Sequence, residues 1–198
     1  MPKTKAVFLD KDGTLIEDVP YNVDPDRMVL TPGAALGLSM LHRAGYQLVV
    51  ITNQSGVARG YFPELAIAIV ESHLRALLAT MGVPLAGFYY CPHHPDGTVT
   101  PYAIACNCRK PAPGLLLQAA VDLDIDLAQS WFIGDILNDV EAGRIAGCRT
   151  ILLNNGNETE WIFSPQRLPH YTVSHLVEAA QVILSNHADL LQPTSQSR

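Results

Sequence analysis

Positive charge is scarce in this chain: 13 lysines and arginines stand against 19 aspartates and glutamates, for a formal net charge of −6. That balance argues against a protein that grips the phosphate backbone of a nucleic acid. Long apolar runs are missing as well. After Met1–Lys5 the first apolar stretch spans only about four residues, short of the ~7–15 of a secretory h-region. No run approaches the ~18 apolar residues of a membrane span. A cytoplasmic protein without a membrane partner is therefore expected. Cysteines number four, too few for a disulfide scaffold, and clustered thiols in that compartment more often hold metal than pair. Internal repeats and low-complexity tracts are absent.

What is present describes one globular unit. With 198 residues, 48% of them apolar and 16% charged, one domain over residues 1–190 is expected, followed by a flexible tail at 191–198. Strand and helix signals alternate from end to end. Apolar runs mark strands at 6–10, 47–52, 87–91, 131–134 and 149–153. Thr31-Pro32 reads as an N-cap with proline at the first helical position, starting a helix that stops at Gly45, with Leu36, Met40 and Leu41 on its apolar face. A second helix runs from Pro63 to Gly82 and carries Leu65, Ile69, Val70, Leu74, Leu77, Leu78 and Met81. Others are expected over 113–123, 138–146 and 174–185. Such alternation implies an α/β fold, a parallel sheet with helices on both faces. The long irregular segments are 17–30 and 92–111, which leaves room for a minimal cap only.

Chemistry begins at the first strand. Ala6-Val-Phe-Leu-Asp10-Lys-Asp12-Gly-Thr-Leu15 puts two acids two positions apart, so both project to the same side where the strand ends. Gly13 lets the chain turn away, leaving the pair at the carboxyl edge of the sheet, where open α/β folds bind ligands. Two acids this close repel unless a cation sits between them, most simply Mg²⁺. Three further clusters lie downstream: Ile51-Thr52-Asn53-Gln54-Ser55-Gly56, Arg109-Lys110-Pro111, and Gly134-Asp135-Ile-Leu-Asn-Asp139. Each has a plain structural reading on its own. Thr52 and Ser55 suit turn caps, Arg109-Lys110 a solvated basic pair, and Asp135 and Asp139 the first turn of a helix.

Within Cys91-Pro-His93-His94-Pro and Cys106-Asn-Cys108, the C-x-H pair (Cys91, His93) and the C-x-C pair (Cys106, Cys108) flank a loop of twelve residues. Three thiols and an imidazole are a donor set for tetrahedral Zn²⁺. The C-x-H and C-x-C pairs are tighter than usual finger spacings, so buried free thiols or a disulfide stay open on spacing alone. Cys148 reads as a small core residue.

Taken in order, the four clusters resemble the four motifs of the haloacid-dehalogenase-like (HAD) phosphatases. The resemblance implies a three-layer Rossmann-like fold and assigns Asp10 as the nucleophile that forms an aspartyl-phosphate. It makes Asp12 the acid for the leaving alcohol and the base for water. Mg²⁺ would be held by Asp10, the Asp12 carbonyl and Asp135. Phosphate and substrate contacts fall to Thr52, Asn53, Gln54, Ser55, Arg109 and Lys110. With Mg²⁺, Lys110 and Arg109 offsetting Asp10, Asp135 and a phosphate dianion, the site charge balances. The Cys-Pro-His-His-Pro and Cys-x-Cys-Arg-Lys-Pro pair narrows the resemblance to the zinc-bearing branch that includes heptose 1,7-bisphosphate phosphatases and some histidinol-phosphate phosphatases. By position its zinc ligands are Cys91, His93, Cys106 and Cys108, a closed set and so structural, with His94 outside it.

The resemblance further implies that Asp18 and Tyr21 meet the sugar of a small phosphorylated metabolite, by an enzyme expected to be monomeric. Two places depart from the branch. Ile136 stands where its heptose enzymes often carry lysine after the fourth-motif aspartate. The stretch 154–161, Asn-Asn-Gly-Asn-Glu-Thr-Glu-Trp, differs from the shorter ending of the branch and carries no assignable role. A zinc-supported binding module with a spent active site is the reading from another class.

Overall fold

A computed structural model describes residues 3–191, so the expected tail beyond 191 lies outside the described residues. Among the described residues six strands form one parallel sheet: β1 (Ala6–Leu9), β2 (Gln47–Asn53), β3 (Gly87–Cys91), β4 (Trp131–Gly134), β5 (Arg149–Leu153) and β6 (Tyr171–Val173). Their spatial order is β3-β2-β1-β4-β5-β6. The α-helices among the described residues that connect and flank them are α1 (Ala34–Arg43), α2 (Leu65–Ala79), α3 (Gly114–Asp122), α4 (Leu137–Ala146) and α5 (Leu176–Leu191).

The central strands β1 and β4 carry no polar side chain, and β2 has an apolar run at 48–51, because both faces are covered. Val7 and Leu9 of β1, Leu48 and Val50 of β2 and Ile133 of β4 join a core closed by Leu38 and Leu41 of α1, Leu74 of α2 and Ile183 of α5. The alternate residues Ala6, Phe8, Val49, Ile51 and Phe132 face the other way, onto Leu115, Leu116 and Ala119 of α3 and Ala142 of α4. Gly37 permits the close approach of α1 and α5, since a Cβ there would stand 2.7 Å from the Leu176 carbonyl oxygen. Among the described residues no helix is long and apolar enough to cross a membrane.

Several details differ from the sequence reading. Helix α1 begins at Ala34, not after Thr31; Gly33 precedes it with φ +79°. Thr31 spends its hydroxyl on the Thr14 carbonyl instead of capping the helix, which ties α1 to the turn after β1. Leu36, Leu65 and Ile69 are exposed; the faces turned inward are Ala34, Leu38 and Leu41 on α1, and Ile67, Val70, Leu74 and Leu78 on α2. Strand β6 was not expected. A third irregular stretch, 154–170, lies between β5 and β6.

The connections β1-α1-β2-α2-β3 run to one side of β1, and α3 carries the chain back to β4 on the other. Strand order therefore reverses beside β1, and the carboxyl end of β1 opens into the crevice that this reversal leaves.

Candidate active site

Asp10 is still in the ladder: its N–H donates to the Ile133 carbonyl at 3.0 Å. The chain then turns at Gly13, with φ +77°. The turn is closed by the Gly13 N–H on the Ile16 carbonyl at 2.8 Å. Both acids face a cleft of about 210 Å³ whose walls include Thr52, Asn53, Lys110 and Asp135. Asp12 accepts from the Lys11 ammonium at 2.5 Å and from Gln54 Nε2 at 3.1 Å. Burial pushes the Asp12 carboxyl above its usual range, with the Asp10 charge adding to the rise and Lys11 and Gln54 opposing it. Lys11, which the motif alone presents as filler, is 1% exposed.

Lys110 enters the same space from the loop before α3. Asn53 holds its backbone from both sides: Lys110 N–H donates to Asn53 Oδ1 at 3.0 Å, and Asn53 Nδ2 donates to the Lys110 carbonyl at 3.1 Å. The ammonium donates to Asp10 Oδ1 at 2.5 Å and to the Ile51 carbonyl at 3.0 Å, and sits 2.7 Å from Asp139 Oδ1. Burial alone would lower its pKa, but the two carboxylates outweigh burial and raise it. Arg109-Lys110 is therefore no solvated basic pair.

Asp135 stands at the carboxyl end of β4. Its Oδ1 accepts from Thr14 Oγ1 at 3.2 Å and its Oδ2 from Asn157 Nδ2 at 2.7 Å. Burial, then the charges of Asp10 and Asp139, push its carboxyl up to about 8. Asp139, in the first turn of α4, is raised to about 6 by burial, against the pull of Lys110, and also accepts from the Ile136 N–H at 3.3 Å. Oxygens of Asp10, Asp135 and Asp139 lie within 4.8 Å of one another. Three carboxylates less one ammonium leave two negative charges, which a single divalent cation would neutralise; oxygen donors of this kind suit Mg²⁺.

The other expected site residues are placed unevenly. Asp18 lines the cleft from an exposed position. Thr52 lines it too, its hydroxyl accepting from Gln54 Nε2 at 2.9 Å. Gln54 thus acts through Asp12 and Thr52 and does not form the cleft wall, and Ser55 lies in the following turn, also off that wall. Tyr21 packs edge-on against Tyr61 with ring centroids 4.5 Å apart. Arg109 has a buried Nη1 without an acceptor, and so does Nε of Arg59. Arg59 Nη2 lies 3.1 Å from His94 Nε2. His94 Nδ1 already accepts from the Asp96 N–H, so a neutral ring points an N–H, not a lone pair, at Arg59.

Sequence reasoning missed Lys11, the pairing of Asp139 with Lys110, and Asn157. Only the place of Lys11 between two acids and the four-residue step from Asp135 to Asp139 carried any signal; Asn157 carried none.

Beside this site, the Sγ atoms of Cys91, Cys106 and Cys108 lie 3.2–3.5 Å apart. All are free thiols. His93 Nδ1 is 3.3 Å from Cys108 Sγ and 3.7 Å from Cys91 Sγ. Four donors so arranged outline a small tetrahedron, the geometry of a closed zinc site. Sulfurs this close without a covalent bond are compatible with a shared cation. His94 is not part of the group.

A HAD-hydrolase-like family model matches residues 107–179. The D-glycero-beta-D-manno-heptose-1,7-bisphosphate 7-phosphatase of Photorhabdus laumondii is 39% identical over 186 residues, 93% of this chain and 92% of the relative. A HAD-like phosphatase from Mesorhizobium loti superposes with a TM-score of 0.81 at 35% identity, over 98% of this chain and 90% of the other. The D,D-heptose 1,7-bisphosphate phosphatase from B. bronchiseptica, solved with magnesium and phosphate, gives a TM-score of 0.77 at 32% identity, over 92% of this chain and 99% of the other. Identity at this level across nearly the whole sequence, joined to four motifs meeting in one cleft, leads to a single conclusion: the chain belongs to the HAD-like phosphatases, in the group of the heptose-1,7-bisphosphate 7-phosphatases.

Proposed function

We propose that the protein removes the 7-phosphate of D-glycero-D-manno-heptose 1,7-bisphosphate by way of a phosphorylated Asp10. One observation carries the reading: Asp10, Asp12 and Lys110 share a cleft with Asp135 at the carboxyl end of the sheet. The Asp10 carboxylate attacks phosphorus, and the P–O bond to the sugar breaks as Asp12 gives its proton to the departing oxygen. Asp12, now a carboxylate, takes a proton from water; that water attacks phosphorus, the acyl-phosphate bond breaks, and Asp10 and inorganic phosphate are released. The raised pKa of Asp12 keeps the proton that the first step needs. Lys110 holds Asp10 in place and offsets charge on the transferring group.

Asp10, the Asp12 carbonyl and Asp135 would hold Mg²⁺, which when bound supplies Lewis-acid polarisation of a phosphate oxygen. Cys91, His93, Cys106 and Cys108 would hold a structural Zn²⁺. Because Cys108 adjoins Arg109-Lys110, that ion would set the loop from which Lys110 reaches Asp10. A phosphorylated substrate suits a loop that carries Arg109 directly beside Lys110. A cytoplasmic enzyme fits four unpaired thiols.

The test is turnover by purified protein with Mg²⁺, against the heptose bisphosphate, its monophosphates and histidinol phosphate. Release of phosphate from position 7 with the highest kcat/KM on the bisphosphate is expected, and Asp10→Asn abolishes it. Preference for histidinol phosphate would reassign the substrate. No turnover of any phosphomonoester would overturn the enzyme reading.

A further inference from the structure

The segment that follows β5 has no counterpart among the four motifs, yet three of its side chains reach into them. Asn155 Nδ2 donates to the Gly13 carbonyl at 2.7 Å. Asn157 Nδ2 donates to Asp135 Oδ2 at 2.7 Å. Glu158 Oε2 accepts from the Leu137 N–H at 2.5 Å, at the start of α4. The turn also braces itself, since the Asn157 N–H donates to Asn155 Oδ1 at 3.2 Å. One short turn is therefore fastened to the acidic turn after β1, to the Asp135 carboxylate and to the helix that follows it.

We infer that Asn157 is a positioning residue that fixes the Asp135 carboxylate for the divalent cation. The inference rests on the phosphatase reading above. An aspartate carboxylate can swing about χ1 and χ2; with Thr14 on Oδ1 and Asn157 on Oδ2, both oxygens of Asp135 are pinned. A carboxylate oxygen has two lone pairs, so one hydrogen bond on each leaves room for a cation. The amide suits this place better than a charged group. It donates without adding a third positive charge beside Lys110 and the cation, and without a carboxylate's repulsion. Asn157 also lines the cleft, as does Ile136.

Space around the contact is built for it. A Cβ on Gly13 would come within 2.0 Å of Asp135 Oδ2 and 2.3 Å of Asn157 Nδ2. The pair thus fills the room left by the absent side chain, and it fixes the two motifs relative to each other. Groups that orient a metal ligand commonly hold about ten- to a hundredfold of metal affinity, which sets the scale of the expected effect.

The experiment measures Mg²⁺ binding directly, by calorimetric titration of magnesium-free protein that keeps its zinc, for the native chain, Asn157→Ala, Asn157→Leu and Asn154→Ala. Asn154 is an exposed neighbour outside the cleft and serves as the control. Both Asn157 variants are expected to bind Mg²⁺ about tenfold more weakly or worse, while Asn154→Ala matches the native protein. Their kcat at saturating Mg²⁺ should return to within about threefold of native, and their melting temperature in chelator should be unchanged. Native affinity in both variants overturns the inference. Tighter binding overturns it too, since the amide would then be occupying the place of the cation. A fall in chelator melting temperature that accounts for the lost affinity would make the role structural only, and likewise overturns it. If the native protein itself neither binds Mg²⁺ nor hydrolyses phosphomonoesters, the phosphatase reading fails first.

Discussion

The ammonium of Lys110 lies 2.5 Å from Asp10 Oδ1, a contact that spans 100 residues of chain. It joins the loop after the thiol cluster to the end of the first strand, and Asp139 completes the arrangement from the opposite side at 2.7 Å. Removing Lys110 leaves two carboxylates buried without their partner. From sequence alone, Lys110→Ala reads as a change that stops turnover and spares the fold. The full burial of the ammonium argues for a cost to both. In chelator, Lys110→Met is expected to lose about 3–5 kcal/mol of stability, the usual consequence of breaking a buried pair. Added Mg²⁺ should restore part of it, while kcat falls by about 10²–10³. Denaturant melts with and without Mg²⁺, alongside steady-state kinetics, check all three.

Mg²⁺ binding should depend on pH through Asp135. Its carboxyl is pushed up to about 8 in the metal-free protein, by burial first and by Asp10 and Asp139 next. The ion needs the carboxylate, so binding releases a proton below that value. Affinity is expected to rise as pH goes from 6 to 8 and to level off above. Stability of the metal-free fold runs the other way for this group. A folded pKa above the unfolded one gives a contribution fully present below about 3.8 and lost as pH climbs through about 8. Titrations at several pH values in two buffers of different ionisation enthalpy will count the released proton. A flat profile would contradict the assignment.

The thiol cluster predicts one zinc per chain. Cys106→Ser should lose the metal, measured by elemental analysis, and lower the melting temperature at the same time. It should also reduce kcat, because the loop that ends at Cys108 carries Lys110 to Asp10. A variant that keeps a full equivalent of zinc would refute the ligand set. A variant that loses zinc and retains native kcat would separate the cluster from the site.

Much of this architecture could be read before any coordinates. Strands β1 to β5 are built around short apolar runs, and such runs announce strands covered on both faces. Strand β6 was not legible, because three residues of which two are exposed carry neither an apolar run nor an alternation. The start of α1 was misplaced for a different reason: Thr31 has a long-range acceptor in Thr14, and a local capping rule does not know of it. Leu36, Leu65 and Ile69 looked like core and face solvent, since their helices had apolar residues to spare. In the site, motif residues were legible because catalysis needs particular side chains at strand ends. Asn157 was not, since its meeting with Asp135 depends on the path of an irregular stretch that no periodicity predicts.

Ile136 borders the cleft where a lysine would add a cation. Ile136→Lys should lower KM for phosphorylated substrates by about fivefold at low salt, the worth of one charge pair at ~4 Å in a water-like medium. The gain should shrink as ionic strength rises. Since the interaction is made with substrate and transition state alike, kcat should change little. A salt-independent change, or one confined to kcat, would mean that Ile136 acts by packing.

Gly13→Ala is the sharpest test of how closely the two acidic motifs are fitted. The residue holds φ +77°, where a side chain is strained, at a cost of about 1–2 kcal/mol. Its added methyl would also stand 2.0 Å from Asp135 Oδ2. The methyl cannot stay there, so either the turn or the carboxylate moves. Movement of the turn carries Asp12 with it, one residue away; movement of Asp135 breaks the contact with Asn157. Either way the metal-binding oxygens separate before the hydrophobic core is touched, since the core packs below the carboxyl ends of the strands. The expected result is a protein that still folds cooperatively in chelator, with a modestly lower melting temperature, and gains little or no stability from Mg²⁺. Native-like stabilisation by Mg²⁺ in Gly13→Ala would show that the close fit between Gly13 and Asp135 has no bearing on the cation.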